Sequence, residues 1–238
     1  MIGLIKNDHG GEGMTKRVLK QSAPIMISYI LIGIVCGMVS YEVGFSIYQI
    51  GMMSIFIYSG ASQFMIAGMY AKGASVLSII ITVMFLSVRF ILLSLTSSKY
   101  IFNQSGLFLF FYGTTITDET FGLNYLLFEE GDWQPEEALS FNIINYCAWI
   151  IGTILGAALV SVITLDTTII SYSLTALFIF MAASQFVSKV YVLTGAIAMM
   201  ITTILIIITK SNIAIVLGAV IASYIGLRLK WRFGGEIV

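Results

Sequence analysis

Apolar segments long enough to cross a lipid bilayer recur along most of this 238-residue chain. One of them, "IIITVMFLSVRFILLSLTS" over residues 79–97, contains a single charged side chain, Arg89. About 20 apolar residues in helical form span the hydrocarbon core. The composition agrees, since only 10% of the residues are charged, whereas a soluble domain carries about a quarter. The sequence therefore predicts an all-α integral membrane protein, a polytopic bundle.

The apolar runs divide the chain into about seven to eight transmembrane segments, eight being the count if none is interrupted or re-entrant. Basic residues precede the first run and end the last one, so the positive-inside rule places both termini in the cytoplasm, with an even number of crossings. These residues are Lys16, Arg17, Lys20, Arg228, Lys230 and Arg232. Helices are predicted near residues 22–41, 46–70, 74–97, 107–128, 139–162, 167–188, 190–209 and 211–229.

Two stretches of the chain resemble each other without a gap: "YSGASQFMIAGMYAKGA" over residues 58–74 and "FMAASQFVSKVYVLTGA" over residues 180–196. Each follows a helix with two glycines four residues apart, a spacing that lets helix backbones approach closely. These glycines are Gly33, Gly37, Gly152 and Gly156. The shared register predicts an internal three-helix repeat. Many secondary transporters have duplicated halves, with the substrate site where helices are interrupted.

The predicted segments group into five regions. The repeats are expected to be parallel if residues 107–128 cross the membrane once and inverted if those residues form a hairpin, and the terminal charges favour a single crossing. The regions are a cytoplasmic N-terminal arm (1–20), a first transmembrane repeat (21–100), a central segment with an acidic loop (101–138), a second repeat with the last helix (139–230) and a cytoplasmic tail (231–238).

Three charged side chains are predicted at membrane depth: Arg89, Asp118 and Glu119. An arginine in the middle of a spanning helix costs at least about 2.5–3.5 kcal/mol of insertion free energy, so it needs an acidic partner or a water-filled cavity. The candidate partner of Arg89 is Asp118 or Glu119. Arg89 and this acid form either a fixed structural ion pair or part of a transport site whose acid gains and loses a proton. Thr117 is grouped with the acids as the proton-coupling segment. Adjacent helix residues point about 100° apart, so the two acids are expected to have different roles.

The stretch "SGASQF", residues 59–64, is a candidate substrate-binding segment. Its small residues and Gln63 fit either a close helix contact with an interhelical hydrogen bond or an interrupted helix whose free amides and hydroxyls meet a carboxylate. Its recurrence in the second half favours the second interpretation. The candidate residues are Ser59, Gly60, Ala61, Ser62, Gln63, Phe64, Ser184 and Gln185.

Enzymatic and metal chemistry have little support in the sequence. His9 is the single histidine and lies in the N-terminal arm, while Cys36 and Cys147 lie far apart in apolar segments. A His-based nucleophile or a zinc site would need clustered ligands. The sequence therefore predicts a protein that is not an enzyme, has no cofactor or metal, and binds no nucleic acid.

Four motifs in this order resemble the AzlC family, the large subunit of branched-chain amino-acid exporters. They are "PIMISYILIGIVCG" (24–37), "IYSGASQF" (57–64), "LSVRFILLS" (86–94) and "TDETF" (117–121). The resemblance covers roughly residues 20–230. It implies export of leucine, isoleucine and valine across a bacterial plasma membrane, driven by protons, with a small AzlD-type membrane subunit. The family often has Asn and His at the positions of Ser87 and Phe90, so this chain departs from its arginine motif.

A branched-chain amino acid fits the polar residues physically. Arg89 and the amides of an interrupted helix suit its carboxylate, Asp118 or Glu119 suits its ammonium group, and side chains such as Phe64 and Met65 suit its aliphatic tail. A passive channel or a membrane scaffold subunit for a small solute remains the alternative. A channel would conduct without a titrating acid, and a scaffold would tolerate loss of the charged residues.

Overall fold

The fold of the described residues is entirely α-helical, as the sequence predicts. The computed structural model describes residues 13–131, 133–162, 179, 189–209 and 213–233. Within these ranges the regular elements are nine helices and no strand. They are α1 (Met14–Glu42), α2 (Ile47–Phe56), α3 (Gly60–Ala71), α4 (Val76–Ile101), α5 (Gly106–Thr115), α6 (Asp118–Glu129), α7 (Pro135–Val162), α8 (Lys189–Thr209) and α9 (Ile213–Phe233).

Four of these helices are long and apolar enough to cross a membrane, which confirms a polytopic membrane protein. The spans are Met14–Glu42, Val76–Ile101, Pro135–Val160 and Val192–Thr209. Residues 14–20, assigned from the sequence to the N-terminal arm, belong instead to α1. Helix α7 begins at Pro135, four residues before the predicted start, because proline fits the first turn of a helix, where its missing amide proton costs little.

Helices α1 and α7 form the central pair of the fold and run in the same direction. Arg17 lies 3.8 Å from Glu137 near their amino-terminal ends, and Gly37 meets Thr153 further along both helices. A Cβ atom on Gly37 would overlap the carbonyl oxygen of Thr153, and one on Gly156 would overlap that of Ile34. The glycines of the two predicted repeat halves therefore pack against each other and let two backbones touch.

Residues 46–70 do not form the single helix predicted from the sequence. They form two helices, α2 and α3, separated at residues 57–59. The rings of Phe45 and Tyr70, at the two ends of this segment, lie 4.7 Å apart, whereas 25 residues of continuous helix would separate them by roughly 37 Å. Tyr58 at the break lies 6.5 Å, ring to ring, from Tyr29 in the middle of α1. Helices α2 and α3 are therefore a re-entrant hairpin, the first hairpin.

Residues 107–128 also form a hairpin rather than the single crossing favoured by the terminal charges. Asp118 at the start of α6 contacts Arg89 in the middle of α4, and Glu129 at its end contacts Lys99 near the end of α4. Helix α6 thus runs parallel to α4. Helix α5 runs the other way, since it starts just after α4 and brings Gly113 close to Ser94. Helices α5 and α6 are the second hairpin.

The two hairpins enter from opposite ends of the bundle and explain why α7 is parallel to α1. Each hairpin returns to the end from which it entered, so α1 and α4 are the crossings that precede α7. A central hairpin would reverse the direction of α7 relative to α1 only if residues 46–70 crossed once, and those residues also form a hairpin. Apart from residue 179, the helix predicted at 167–188 lies outside the described residues, as does the second "ASQF", so the three-helix repeat and its orientation stay predictions.

One paired position of the predicted repeat differs in structure. Gly73 follows α3 in a turn with φ of +68°, a conformation that favours glycine. Its counterpart Gly195 lies inside α8. Helices α8 and α9 agree with the predicted helices at 190–209 and 211–229 and form an antiparallel pair, in which Gly218 packs on Thr202 and Gly226 on Thr194.

The glycine contact between α1 and α7 predicts a specific stability loss. Gly156→Ala places a methyl group on the Ile34 carbonyl oxygen, so the helices must separate, and we expect about 1–3 kcal/mol of destabilisation. Gly122→Ala is the matched control, since a Cβ atom there meets nothing within 4 Å and alanine favours a helix. Denaturant unfolding in micelles measures both variants, and equal stability of the two would contradict the contact.

Candidate functional site

The amino terminus of α6 forms the tip of the second hairpin and carries both acids. Thr117 caps the helix: its hydroxyl accepts the amide proton of Thr120 at 3.2 Å, and the Thr120 hydroxyl accepts that of Thr117 at 2.9 Å. Asp118 and Glu119 occupy the first turn, where the helix dipole stabilises negative charge. The sequence "TDET" thus places two carboxylates at the point where the chain reverses inside the bundle.

Asp118 forms the ion pair that the sequence predicted for Arg89. The Arg89 guanidinium lies 2.9 Å from the Asp118 carboxylate, and the two side chains are 40% and 46% exposed. The described helices therefore leave both side chains of this ion pair partly exposed. The guanidinium also lies 5.0 Å from the ring centroid of Phe90, which is close enough for a cation–π contact. Phe90 occupies the position where the AzlC motif often has His.

Glu119 contacts a different helix from Asp118, as expected for adjacent helix residues. The hydroxyl of Tyr29 on α1 donates to Glu119 at 2.8 Å and lies 2.6 Å from the hydroxyl of Thr117. Tyr29 was not identified from the sequence, because a tyrosine in an apolar run gives no signal of a partner 90 residues away. The two acids therefore join the second hairpin to α4 and to α1, respectively.

The tip of the first hairpin is the amino terminus of α3. Ser59 caps this helix by accepting the amide proton of Ser62 on its hydroxyl at 3.3 Å. Tyr58, just before the cap, has φ of +36°, a left-handed conformation that is rare for a bulky residue and is found at functional sites. Gly60 begins the helix against the Trp149 ring, and a Cβ atom there would lie 2.9 Å from that ring.

Gln63 and Phe64 occupy interior positions. The Gln63 carbonyl oxygen accepts from Ser54 and from the thiol of Cys36, both at 3.4 Å. Ser54 in turn lies 2.8 Å from the hydroxyl of Thr153 on α7. Phe64 is 1% exposed and packs in an apolar cluster with Tyr29 and Cys36. Gln63 thus links the first hairpin to α1 directly and to α7 through Ser54, as the close-contact interpretation of "SGASQF" predicts.

Four aromatic residues cluster at the first tip, and one of them also contacts the second tip. Tyr29 lies 6.5 Å from Tyr58 and 5.8 Å from Trp149, and Tyr58 lies 4.7 Å from Tyr146, ring to ring. The hydroxyl of Tyr146 donates to the carbonyl oxygen of Ile55, near the end of α2. Sequence reasoning missed this cluster, since its members come from α1, the first tip and α7. The first tip therefore packs against aromatic rings of α1 and α7. One of these residues, Tyr29, also contacts the second tip.

The other candidate residues are placed as follows. Ala61 lies in the first turn of α3 and is partly exposed. Ser184 and Gln185 lie outside the described residues. Among the residues that the structure describes, no three His, Cys, Asp or Glu side chains are grouped to hold a metal ion.

The helices, their opposed hairpins and the intramembrane ion pair define a polytopic membrane protein with interrupted helices. Comparison with known proteins agrees. An uncharacterized membrane protein of Helicobacter pylori is 28% identical over 173 residues, 72% of this chain and 75% of that protein. One from Archaeoglobus fulgidus is 30% identical over 170 residues, 70% and 73% of the two chains. The inner membrane protein YgaZ of Escherichia coli is 32% identical over 143 residues, 58% of each chain.

The model of the AzlC protein family matches residues 24–163, and the chain belongs to this family. The resemblance drawn from the four motifs is confirmed, over a shorter range than the 20–230 expected. Members are membrane proteins, and the family is consistent with a role in membrane transport rather than catalysis. No solved structure matches this chain.

The Arg89–Asp118 pair predicts strong coupling between the two residues. Arg89→Gln or Asp118→Asn alone leaves one charge without its partner at membrane depth, so each should destabilise the fold more than the double variant does. We expect a coupling energy of about 0.5–3 kcal/mol in a double-mutant cycle. The measurement is denaturant unfolding in lipid–detergent bicelles.

The matched control is the pair formed by Lys99 and Glu129, 2.8 Å apart and 51% and 52% exposed at the end of α4. Water and salt screen such a pair, so its coupling should be smaller. Equal coupling in the two cycles would show that Arg89 and Asp118 behave as an ordinary surface pair.

Proposed function

We propose that this protein is a secondary transporter that exports leucine, isoleucine and valine across a bacterial plasma membrane. In this proposal the proton gradient drives export, both termini face the cytoplasm, and the chain is the large subunit beside a small AzlD-type membrane subunit. The family and its membrane location support the general class. The substrate, the coupling ion and the subunit come from the resemblance of the motifs.

The meeting of two opposed hairpin tips at mid-depth is the observation that carries the proposal. Transporter sites lie where interrupted helices expose helix termini near the membrane midplane. Here α3 and α6 both begin beside Tyr29, which contacts Tyr58 of one tip and Glu119 of the other. Non-helical backbone at this depth is tolerated where protein buries it or where it lines a cavity. A solute could thus meet polar groups at mid-depth from either side.

Proton coupling is assigned to Asp118, with Glu119 and Thr117 beside it. An ionised Asp118 holds the Arg89 guanidinium at 2.9 Å, and protonation of Asp118 would end that attraction. The second hairpin tip would then lose one of its two links to the surrounding helices, while the link from Glu119 to Tyr29 remains. A change of one proton therefore acts on the element that contacts the proposed site, which is what coupling requires.

The proposal predicts gradient-driven efflux that depends on Asp118. Proteoliposomes containing the chain, with and without the small subunit, are preloaded with labelled leucine, and efflux is followed with and without an imposed proton gradient. Wild type should show gradient-stimulated efflux, and Asp118→Asn should lose that stimulation because it cannot exchange the proton. Glu130→Gln, which removes an exposed carboxylate just after α6, is the control and should behave as wild type.

Two results would contradict the proposal in different ways. Leucine efflux that ignores the gradient in wild type and in Asp118→Asn would indicate a passive channel. Efflux that needs the small subunit and survives the combined loss of Arg89 and Asp118 would indicate a scaffold. Size-exclusion profiles of each variant in detergent show whether it assembles normally.

A further inference from the structure

We propose that an α-amino acid binds between the two hairpin tips, with its carboxylate at the amino terminus of α3 and its ammonium group at Glu119. This inference rests on the proposed function and assigns each end of the substrate to its own tip. Arg89 and Asp118 then serve coupling, since they already neutralise each other. The assignment differs from the sequence-based expectation, in which Arg89 also met the substrate carboxylate.

The amino terminus of α3 is built to receive an anion. A helix leaves its first amide protons without partners inside the helix, and its dipole places partial positive charge there. Ser59 satisfies the amides of Ser62 and Gln63, through its hydroxyl and its carbonyl oxygen. The amides of Gly60 and Ala61 remain as the pair that helix geometry directs beyond the terminus. Because Gly60 lacks a side chain, the Trp149 ring can pack against this first turn.

In addition to the side-chain nitrogen of Gln63, three buried polar groups on residues at or against this terminus have no hydrogen-bond partner within the described residues. They are the hydroxyl of Tyr58, the hydroxyl of Ser62 and the indole N–H of Trp149. These residues are 4%, 0% and 4% exposed. Burial of an unpaired polar group costs free energy, so these groups would gain from a bound ligand that pairs with them. The indole N–H can only donate, so that ligand must offer acceptors, as a carboxylate does.

The three groups come from different parts of the chain, and their residues lie at or against the start of α3. Tyr58 immediately precedes the cap, and Ser62 belongs to the first turn of α3. The Trp149 ring lies against Gly60 and, edge to face, 5.8 Å from Tyr29. The backbone of Tyr58 is held at φ of +36°. Such strain at a helix terminus is consistent with a binding role rather than with packing alone.

Glu119 is the acid suited to the ammonium group. Asp118 is held by Arg89 on α4, whereas Glu119 faces α1, where Tyr29 donates to one of its carboxylate oxygens. Glu119 is exposed among the described residues, so its other carboxylate oxygen can meet a second donor. Tyr29 also contacts Tyr58, so the acidic tip and the donor-rich tip are separated by a single tyrosine. A ligand with a cationic and an anionic group on one carbon atom offers one charge to each tip.

The charge assignment can be tested by binding, independently of transport. The full chain is kept in native membrane patches, so that bound subunits are retained, and labelled leucine is displaced by leucine, leucinamide or isocaproate. Leucinamide lacks the carboxylate and isocaproate lacks the ammonium group. Wild type should bind leucine more tightly than either analogue, because each analogue leaves one tip without its charged partner.

Variants at the two tips should affect recognition of different ends of leucine, its carboxylate or its ammonium group. Ser62→Ala and Tyr58→Phe each remove one donor, so leucine affinity should fall about five- to tenfold, while leucinamide affinity changes little. Glu119→Gln should show the opposite selectivity, reducing the preference for leucine over isocaproate. Ser22→Ala is the matched control, since it removes another buried hydroxyl that is unpaired among the described residues, and it should leave all three affinities unchanged.

The outcomes distinguish this inference from the proposed function. If wild type binds leucine but Ser62→Ala and Tyr58→Phe weaken leucine and leucinamide equally, or weaken neither, the carboxylate site is wrong and the transport proposal stands. If wild type binds none of the three compounds, both the amino-acid substrate and this site are wrong. Helical circular dichroism of Ser62→Ala and Tyr58→Phe checks folding, and the two variants provide independent tests of the same donor set.

Discussion

The backbone contact between α1 and α7 is the constraint on which the arrangement of the two hairpin tips depends. Gly37 and Gly156 bring two parallel helices so close that a methyl group would overlap a carbonyl oxygen of the partner helix. In lipid, where apolar side chains gain little by leaving the solvent, such close packing is a main source of helix association. The contact also fixes Tyr29 of α1 beside Trp149 of α7, and the hairpin tips pack against these two residues.

Re-entrant hairpins are possible here because a capping side chain satisfies part of the backbone at each tip. Unpaired amides inside a bilayer are costly, and helix ends are where they occur. Ser59 and Thr117 cap α3 and α6, two helices that begin beside Tyr29 and belong to hairpins from opposite ends of the bundle. The polar residues that the hairpins carry then have tertiary partners: Gln63 contacts α1 and α2, Asp118 contacts α4, and Glu119 contacts α1. The interior of the bundle therefore contains polar side chains, while the non-helical backbone is limited to the two short tips.

Sequence reasoning identified part of the candidate site. The cost of a charge at membrane depth was enough to predict that Arg89 needs an acidic partner or a water-filled cavity, and Asp118 is that partner. The role of Tyr29 could not be predicted, because hydrogen bonds between residues 88 to 90 positions apart leave no local pattern. The stretch "SGASQF" suited both a close helix contact and a substrate-binding interruption from its sequence alone. The hydrogen bonds of Gln63 with Ser54 and Cys36 are those expected for a close helix contact.

The sequence by itself determined the membrane class, the helical fold and the two places where polar residues interrupt apolar runs. Only the tertiary structure decided that the chain reverses at both places. Hydropathy is the same whether the residues after an interruption continue across the bilayer or return, because lipid solvates apolar side chains equally well in both arrangements. The direction is fixed by contacts between distant residues, such as Phe45 with Tyr70 and Lys99 with Glu129.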